Sequence, residues 1–215
     1  MSLPRIAVLA SGRGSNLQAI LDAIASQQLA AHVVGVFSDK PDCAALARVD
    51  QARRWALDAK QQPSRAAFDE ALTAAVAAVR PDWVVCAGFM RILGDGFVAR
   101  FADRLINIHP SLLPKYKGLH THRRALEAGD SEHGSSVHWV IPALDAGEVI
   151  AQTRIPILAD DTPETLAARL LPHEHQLLVA VLQRAVSGQL SPPHPGSEQA
   201  ATPKPAFIHH WPVTR

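Results

Sequence analysis

The chain has 215 residues, 47% of them hydrophobic and 19% charged, a balance that suits one globular domain with a sizeable core and argues against disorder. Its formal net charge is only +1 and its two cysteines, Cys43 and Cys86, lie far apart. Nucleic-acid and membrane partners are therefore not expected, and neither a disulfide framework nor a cysteine-rich zinc site fits.

In chain order, Ile6 to Ala10 is an apolar run that ends in Ser11-Gly12-Arg13-Gly14-Ser15, which reads as a buried strand and a glycine turn. The N-terminus runs into this strand with no cleavable-signal pattern, and no apolar stretch reaches the ~18 residues of a membrane span, so the cytoplasm is the expected location. Leu17, Ile20, Leu21 and Ile24 recur at helical spacing, which starts a helix near Ser15 or Asn16. Val33 to Phe37 is the next strand, closed by Ser38-Asp39-Lys40-Pro41, and the alanine-rich segments 43–53 and 65–79 read as helices. Trp83 to Ala87 is a third strand, Leu93 to Phe101 a helix, and Leu105 to Ile108 a fourth strand stopped by His109-Pro110. After an irregular stretch, Ser111 to Gly118, come strands at Ser136 to Ile141 and Val149 to Ile157, then a long helix over Leu166 to Val186. From Gly188 the composition shifts to Ser, Pro, Gly and Gln. The expected organisation is a domain over 1–187 and a loosely packed tail over 188–215, with Phe207, Ile208 and Trp211 as the groups that would dock it. Alternating strands and helices imply an α/β, Rossmann-like fold: a mostly parallel central sheet, helices on both faces, and a mixed or antiparallel end.

A strand, a glycine turn and a helix make an anion site, because first-turn N–H groups lack intrahelical partners and the helix dipole favours negative charge. Gly12, Gly14, Ser15 and Asn16 are the candidates to hold a phosphate. A dinucleotide fingerprint matches only in part: Gly12-x-Gly14 begins it and Asp39 suits the ribose acid, but Leu17 stands at the third glycine position. No Gly-Lys-Ser/Thr makes it a Walker loop, and a turn with no ligand is the third reading.

Asn107 and His109 end a strand, where open α/β sheets place their ligands, and alternation points them to one side. An amide that donates to a developing oxyanion and an imidazole that moves a proton suit acyl transfer. Alone, the pair also fits a turn asparagine and a satisfied buried histidine. Asp145, in the loop Ala143-Leu144-Asp145-Ala146-Gly147, adds a carboxylate able to reach the same mouth, orient the imidazole and favour its charged form. No Gly-x-Ser-x-Gly elbow or activated cysteine stands out, so direct transfer fits better than a covalent enzyme intermediate. The eleven histidines, among them His120-x-His122 and His173-x-His175, lack a clear carboxylate or cysteine to complete a ligand set, so no metal is expected. Lys115 and Lys117 read as solvated loop charges.

Several segments together resemble the folate-dependent formyltransferases, in particular the branch that acts on phosphoribosylglycinamide in purine synthesis. They are Ser11–Ile20, Ala87-Gly88-Phe89-Met90-Arg91-Ile92-Leu93, Asn107-Ile108-His109-Pro110-Ser111-Leu112-Leu113-Pro114, Gly118–His122, His133–His138 and Leu144-Asp145-Ala146-Gly147. They fall in order across about 11–175. The resemblance implies the formyltransferase fold and formyl transfer from 10-formyltetrahydrofolate, as co-substrate, to the amine of 5'-phosphoribosylglycinamide. It implies Asn107, His109 and Asp145 as catalytic residues, and Gly14, Ser15 and Asn16 on the ribose phosphate, with Glu174 on the ribose hydroxyls. Met90, Arg91, Ile92 and Leu93, with loop 141–145 through Ile141 and Leu144, would hold the pterin, and Arg65 the folate tail. Two departures stand out: Ala146 where a glycine is common, and Leu171 where a glutamine is often found. The related methionyl-tRNA formyltransferases and formyltetrahydrofolate hydrolases would be expected to carry additional domains, and the small phosphorylated amine is the expected acceptor. Monomer or homodimer is the expected state.

Overall fold

The computed structural model describes residues 2–192 and, for the backbone, 207–209. Eight strands form one sheet, in the order β3-β2-β1-β4-β5-β6-β7-β8. They are β1 (Arg5–Leu9), β2 (His32–Ser38), β3 (Arg54–Ala56), β4 (Trp83–Cys86), β5 (Leu105–His109), β6 (Glu132–Trp139), β7 (Val149–Pro156) and β8 (Phe207–His209). The helices are α1 (Ser15–Ala25), α2 (Arg65–Ala78), α3 (Asp95–Phe101), α4 (Thr121–Glu127) and α5 (Pro163–Val186).

The first five strands pair in parallel, and β6 and β7 run antiparallel beside them. Strands alternate their side chains between two faces, and the core follows that alternation. Ile6 and Val8 of β1, Val85 of β4 and Ile106 of β5 pack under α1 and α5, whose Leu17, Ile20, Leu177, Leu178, Val181 and Leu182 are buried. Ala7, Leu9, Val84 and Leu105 face the opposite way, under Phe68, Leu72 and Val76 of α2 and Phe97 and Phe101 of α3. Helices thus cover both faces of a Rossmann-like sheet.

From β1 the chain proceeds to β2 and β3 on one side; with β4 it crosses back to the other side of β1 and continues outward. The strand order therefore reverses between β1 and β4, and the loops leaving their carboxyl ends part around a crevice.

Segment 43–53, expected as a helix, forms two short 3-10 turns instead, Ala44–Arg48 and Gln51–Arg53. Propensity loses to tertiary bonding there: the Ala45 N–H donates to Gly12 O at 3.1 Å, and the buried Cys43 thiol donates to the same oxygen at 3.2 Å. Strand β3 and helix α4 had no separate signal in the sequence: β3 has only three residues, and α4 buries only Thr121 and Ala125, which leave no apolar stripe to read. The long helix begins earlier than expected, at Pro163, because Thr162 and Thr165 form a reciprocal capping box ahead of a proline in the first turn. Of the expected tail, 193–206 and 210–215, including Trp211, lie outside the described residues; 207–209 pair in parallel with β7. No helix among the described residues is long and apolar enough to cross a membrane.

Leu177 is fully buried between α5 and the sheet. Leu177→Ala is expected to lower stability by about 2–5 kcal/mol, read from the midpoint of chemical denaturation at unchanged slope.

Candidate functional site

The glycine turn after β1 places Gly14 at the N-cap of α1 with φ 71°, a left-handed conformation that glycine adopts without strain. A Cβ there would come within 2.6 Å of the Ala45 Cβ and 2.8 Å of its Cα, so the segment behind the loop also requires glycine. No side chain caps the first-turn amides of α1, which stay available for an anion. Arg48 ties the loop down from outside, donating to Arg13 O at 2.9 Å and to Gln18 Oε1 at 2.7 Å.

Asn16 faces Glu174 of α5. The Glu174 carboxylate is buried and accepts from Ser135 Oγ at 2.8 Å and from the Asn16 side chain. Burial raises its pKa, and those two bonds oppose the rise. The Asn16 Oδ1 is buried with no hydrogen-bond partner, and Asn16 and Glu174 both help to line the cleft.

At the end of β5, Asn107 and His109 both open into this cleft of about 660 Å³. Asp145 arrives from the loop between β6 and β7, as expected, with φ 46°. The loop is closed by Gly147, where a Cβ would sit 1.8 Å from Trp139 O. Asp145 Oδ2 lies 3.4 Å from His109 Nδ1 and accepts the Gly118 N–H at 2.8 Å. His109 Nε2 faces Tyr116 O at 3.0 Å. Both ring nitrogens thus meet oxygen acceptors, and an imidazole donates to both only when each carries a hydrogen.

His138 closes the His133–His138 segment but had no role assigned from the sequence. Its Nδ1 lies 2.8 Å from Trp139 O, which fixes the hydrogen on Nδ1 and leaves Nε2 to accept from Asn107 Nδ2 at 3.0 Å. Burial holds the His138 pKa well below its ordinary value, so at 3.7 Å from Asp145 Oδ1 it is a neutral neighbour rather than an ion-pair partner. No local signal marks that role: β6 is buried on both faces, and His138 meets Asn107 only through the register of β6 on β5.

A second pocket adjoins Asn107 and Asp145, lined by Phe89, Arg91, Ile92, Leu93, Val98 and the 140–145 loop. It is a small slot of about 90 Å³ with mostly apolar walls, and Arg91, Asn107, His138 and Asp145 are its polar side chains. Ile141 and Leu144 line it, and Met90 stands at the larger cleft. Arg65 is not among the lining residues; it begins α2 at the rim and donates to Ile92 O at 3.0 Å. Cys86 also lines the slot, and burial pushes its thiol up to about 12, which makes it inert.

The segment after β5 is held by a satisfied polar network. Ser136 Oγ donates to Ser111 O and accepts from Leu113 N and Gln152 Nε2, all within 3.1 Å. Further along, Asp130 accepts from Tyr116 Oη at 2.7 Å and from Lys115 Nζ at 2.9 Å. Lys115 is solvent-exposed, as expected of a solvated loop charge, and also pairs with Asp130. His122 and His133 bond to each other at 3.0 Å, and among the described residues no group of three or more His, Cys, Asp or Glu converges as a metal site.

Together, the open-sheet crevice and the amide, imidazole and carboxylate at one strand end define an acyl-transfer class of site. The chain belongs to the formyl transferase family, whose model matches residues 4–182. It is 49% identical over 187 residues to phosphoribosylglycinamide formyltransferase of Escherichia coli K12, covering 86% of this chain and 88% of that one. The corresponding protein of Haemophilus influenzae is 40% identical over 190 residues, covering 87% and 90%. Among solved structures, phosphoribosylglycinamide formyltransferase of Coxiella burnetii superposes with a TM-score of 0.85 at 45% identity, covering 89% of this chain and 91% of that one.

Two outcomes are expected here. Gly14→Ala should displace the loop and weaken inorganic phosphate binding in a titration at least tenfold, since about 1–2 kcal/mol of backbone strain adds to the contact with Ala45. Burial and His122 lower the His133 pKa to about 4. Between pH 6.5 and 4 the unfolded chain then binds more protons than the folded one, so this contribution to stability is complete above about 6.5 and is lost as pH falls toward 4. His133→Gln should make the acid-side slope of stability against pH shallower by about one proton, read from denaturation curves at stepped pH.

Proposed function

We propose that this chain transfers the formyl group of 10-formyltetrahydrofolate to the amine of 5'-phosphoribosylglycinamide, the reaction for which its bacterial relatives are named. The observation that carries the reading is the meeting of Asn107, His109 and Asp145 in a cleft with the glycine loop at one side and an apolar slot at the other. A phosphorylated acceptor and a planar donor both find suitable chemistry within reach of one reaction point.

In this reading the ribose phosphate sits on the α1 amides at Gly14, Ser15 and Asn16, and Glu174 accepts from the ribose hydroxyls. Phe89, Arg91, Ile92, Leu93, Ile141 and Leu144 enclose the pterin, Met90 contacts the donor from the wider cleft, and Arg65 meets the carboxylate tail. The formyl folate is a substrate that brings the one-carbon unit. Asn107, its side chain oriented by His138, donates to the oxyanion that forms when the amine adds to the formyl carbon. His109, held by Tyr116 O and Asp145, stabilises the same charge. Asp145 orients the imidazole and directs protons from the incoming amine toward the departing folate nitrogen. No step needs a covalent enzyme intermediate or a metal. The reading places the enzyme in the cytoplasm, as a monomer or homodimer, and free buried thiols at Cys43 and Cys86 suit a reducing compartment.

The test is an absorbance assay of tetrahydrofolate formation with each substrate omitted in turn. Transfer predicts product only when both are present; product without the amine would point to hydrolysis and overturn the reading. Asn107→Ala, His109→Ala and Asp145→Asn should each lower kcat about a hundredfold or more with small changes in KM. Near-normal turnover in Asp145→Asn would remove the role assigned to that carboxylate.

A further inference from the structure

Ser11 lies between the two halves of the cleft and is 5% exposed. Its hydroxyl donates to Asp39 Oδ1 at 2.5 Å and accepts the Met90 N–H at 2.8 Å. Its own N–H donates to Gly88 O at 3.0 Å. One residue thus binds the segment that opens the glycine loop to the segment that opens the wall of the slot, and both uses of the hydroxyl are taken. Asp39, 6% exposed at the end of β2, anchors the joint from behind.

This arrangement continues the sheet past its last ladder bonds. Ala10 N donates to Phe37 O at 3.0 Å and Ala87 N to Leu9 O at 2.9 Å, and one step further the Ser11 N–H to Gly88 O is still a backbone bond, which a side-chain substitution at position 11 leaves in place. Beyond it, the Ser11 hydroxyl is what ties Met90 of the slot wall to the end of β1 and to Asp39. A reaction between two bound substrates depends steeply on their mutual placement: an error near 1 Å costs about a hundredfold in rate.

We propose that Ser11, anchored by Asp39, is a positioning residue that sets the distance between the phosphate-binding loop and the slot wall, and so the alignment of acceptor and donor. The proposal rests on the function proposed above. It implies that losing the hydroxyl damages turnover and leaves each substrate's own binding nearly intact, because neither subsite loses a contact to its ligand.

The experiment compares wild type, Ser11→Ala, Ser11→Thr and Asp39→Asn. Binary affinities for phosphoribosylglycinamide and for tetrahydrofolate are measured by calorimetry, and kcat under saturation. Ser11→Ala should lower kcat ten- to a hundredfold while each binary Kd moves less than about threefold. Ser11→Thr and Asp39→Asn, which keep a hydroxyl donor and an acceptor oxygen, should recover most of that loss. A kcat within threefold of wild type in Ser11→Ala, or a loss confined to affinity for one substrate, overturns the proposal. Wild-type turnover, measured first, decides the reading of function separately. Hydrogen exchange at the Met90 amide of the unliganded protein tests the joint whatever the substrates: Ser11→Ala should speed it at least tenfold, and unchanged exchange overturns the proposal.

Discussion

Two parallel strands, β1 and β4, lie side by side while the chain leaves them in opposite directions, and the rest of the site depends on that reversal. A parallel strand must be followed by a crossover, and crossovers that part leave their strands' carboxyl ends uncovered. Here those ends carry the glycine turn on β1 and the Gly88–Leu93 segment on β4. Strand β5, next in order, delivers Asn107 and His109 to the same rim. Amide donors for an anion, apolar walls for a ring and a pair of polar side chains are thus neighbours in space although separated by some ninety residues of chain.

The antiparallel half supplies what the parallel half lacks. Because β6 runs back along β5, His138 stands opposite Asn107, and the return loop to β7 brings Asp145 against His109. Polar groups this deep are costly unless paired, and here they are paired in series: Trp139 O with His138, His138 with Asn107, Gly118 N–H with Asp145. Each bond removes a rotamer or a tautomer. A site with few remaining choices is preorganised for charge that develops at one point.

The chemistry is also shaped by groups that do nothing. Cys86 sits beside Asn107 in the slot, yet burial keeps it a neutral thiol. Cys43 spends its hydrogen on Gly12 O behind the glycine loop. With both thiols committed to packing, and with an amide, an imidazole and a carboxylate at the centre, the site has the parts for polarising a carbonyl and moving protons. Those are the requirements of direct transfer to an amine, and they agree with the family to which the chain belongs.

The local signals settled the α/β class, six of the strands, helices α1, α2, α3 and α5, the glycine turn and the Asn-His strand end, because burial imposes periods and turns impose residue types that are readable at short range. The motif order across 11–175 carried the family. What the amino-acid string left open was decided by pairing across the fold. Segment 43–53 has helix-forming alanines, but its Ala45 N–H and Cys43 thiol found Gly12 O. His138 looked like any strand histidine until β6 set it against Asn107. Ser11 read as a turn residue until Met90 and Asp39 came within hydrogen-bond reach. A residue's own period reports whether it is buried; only the tertiary structure reports which buried group it meets, because that depends on strand order and register that no local window contains.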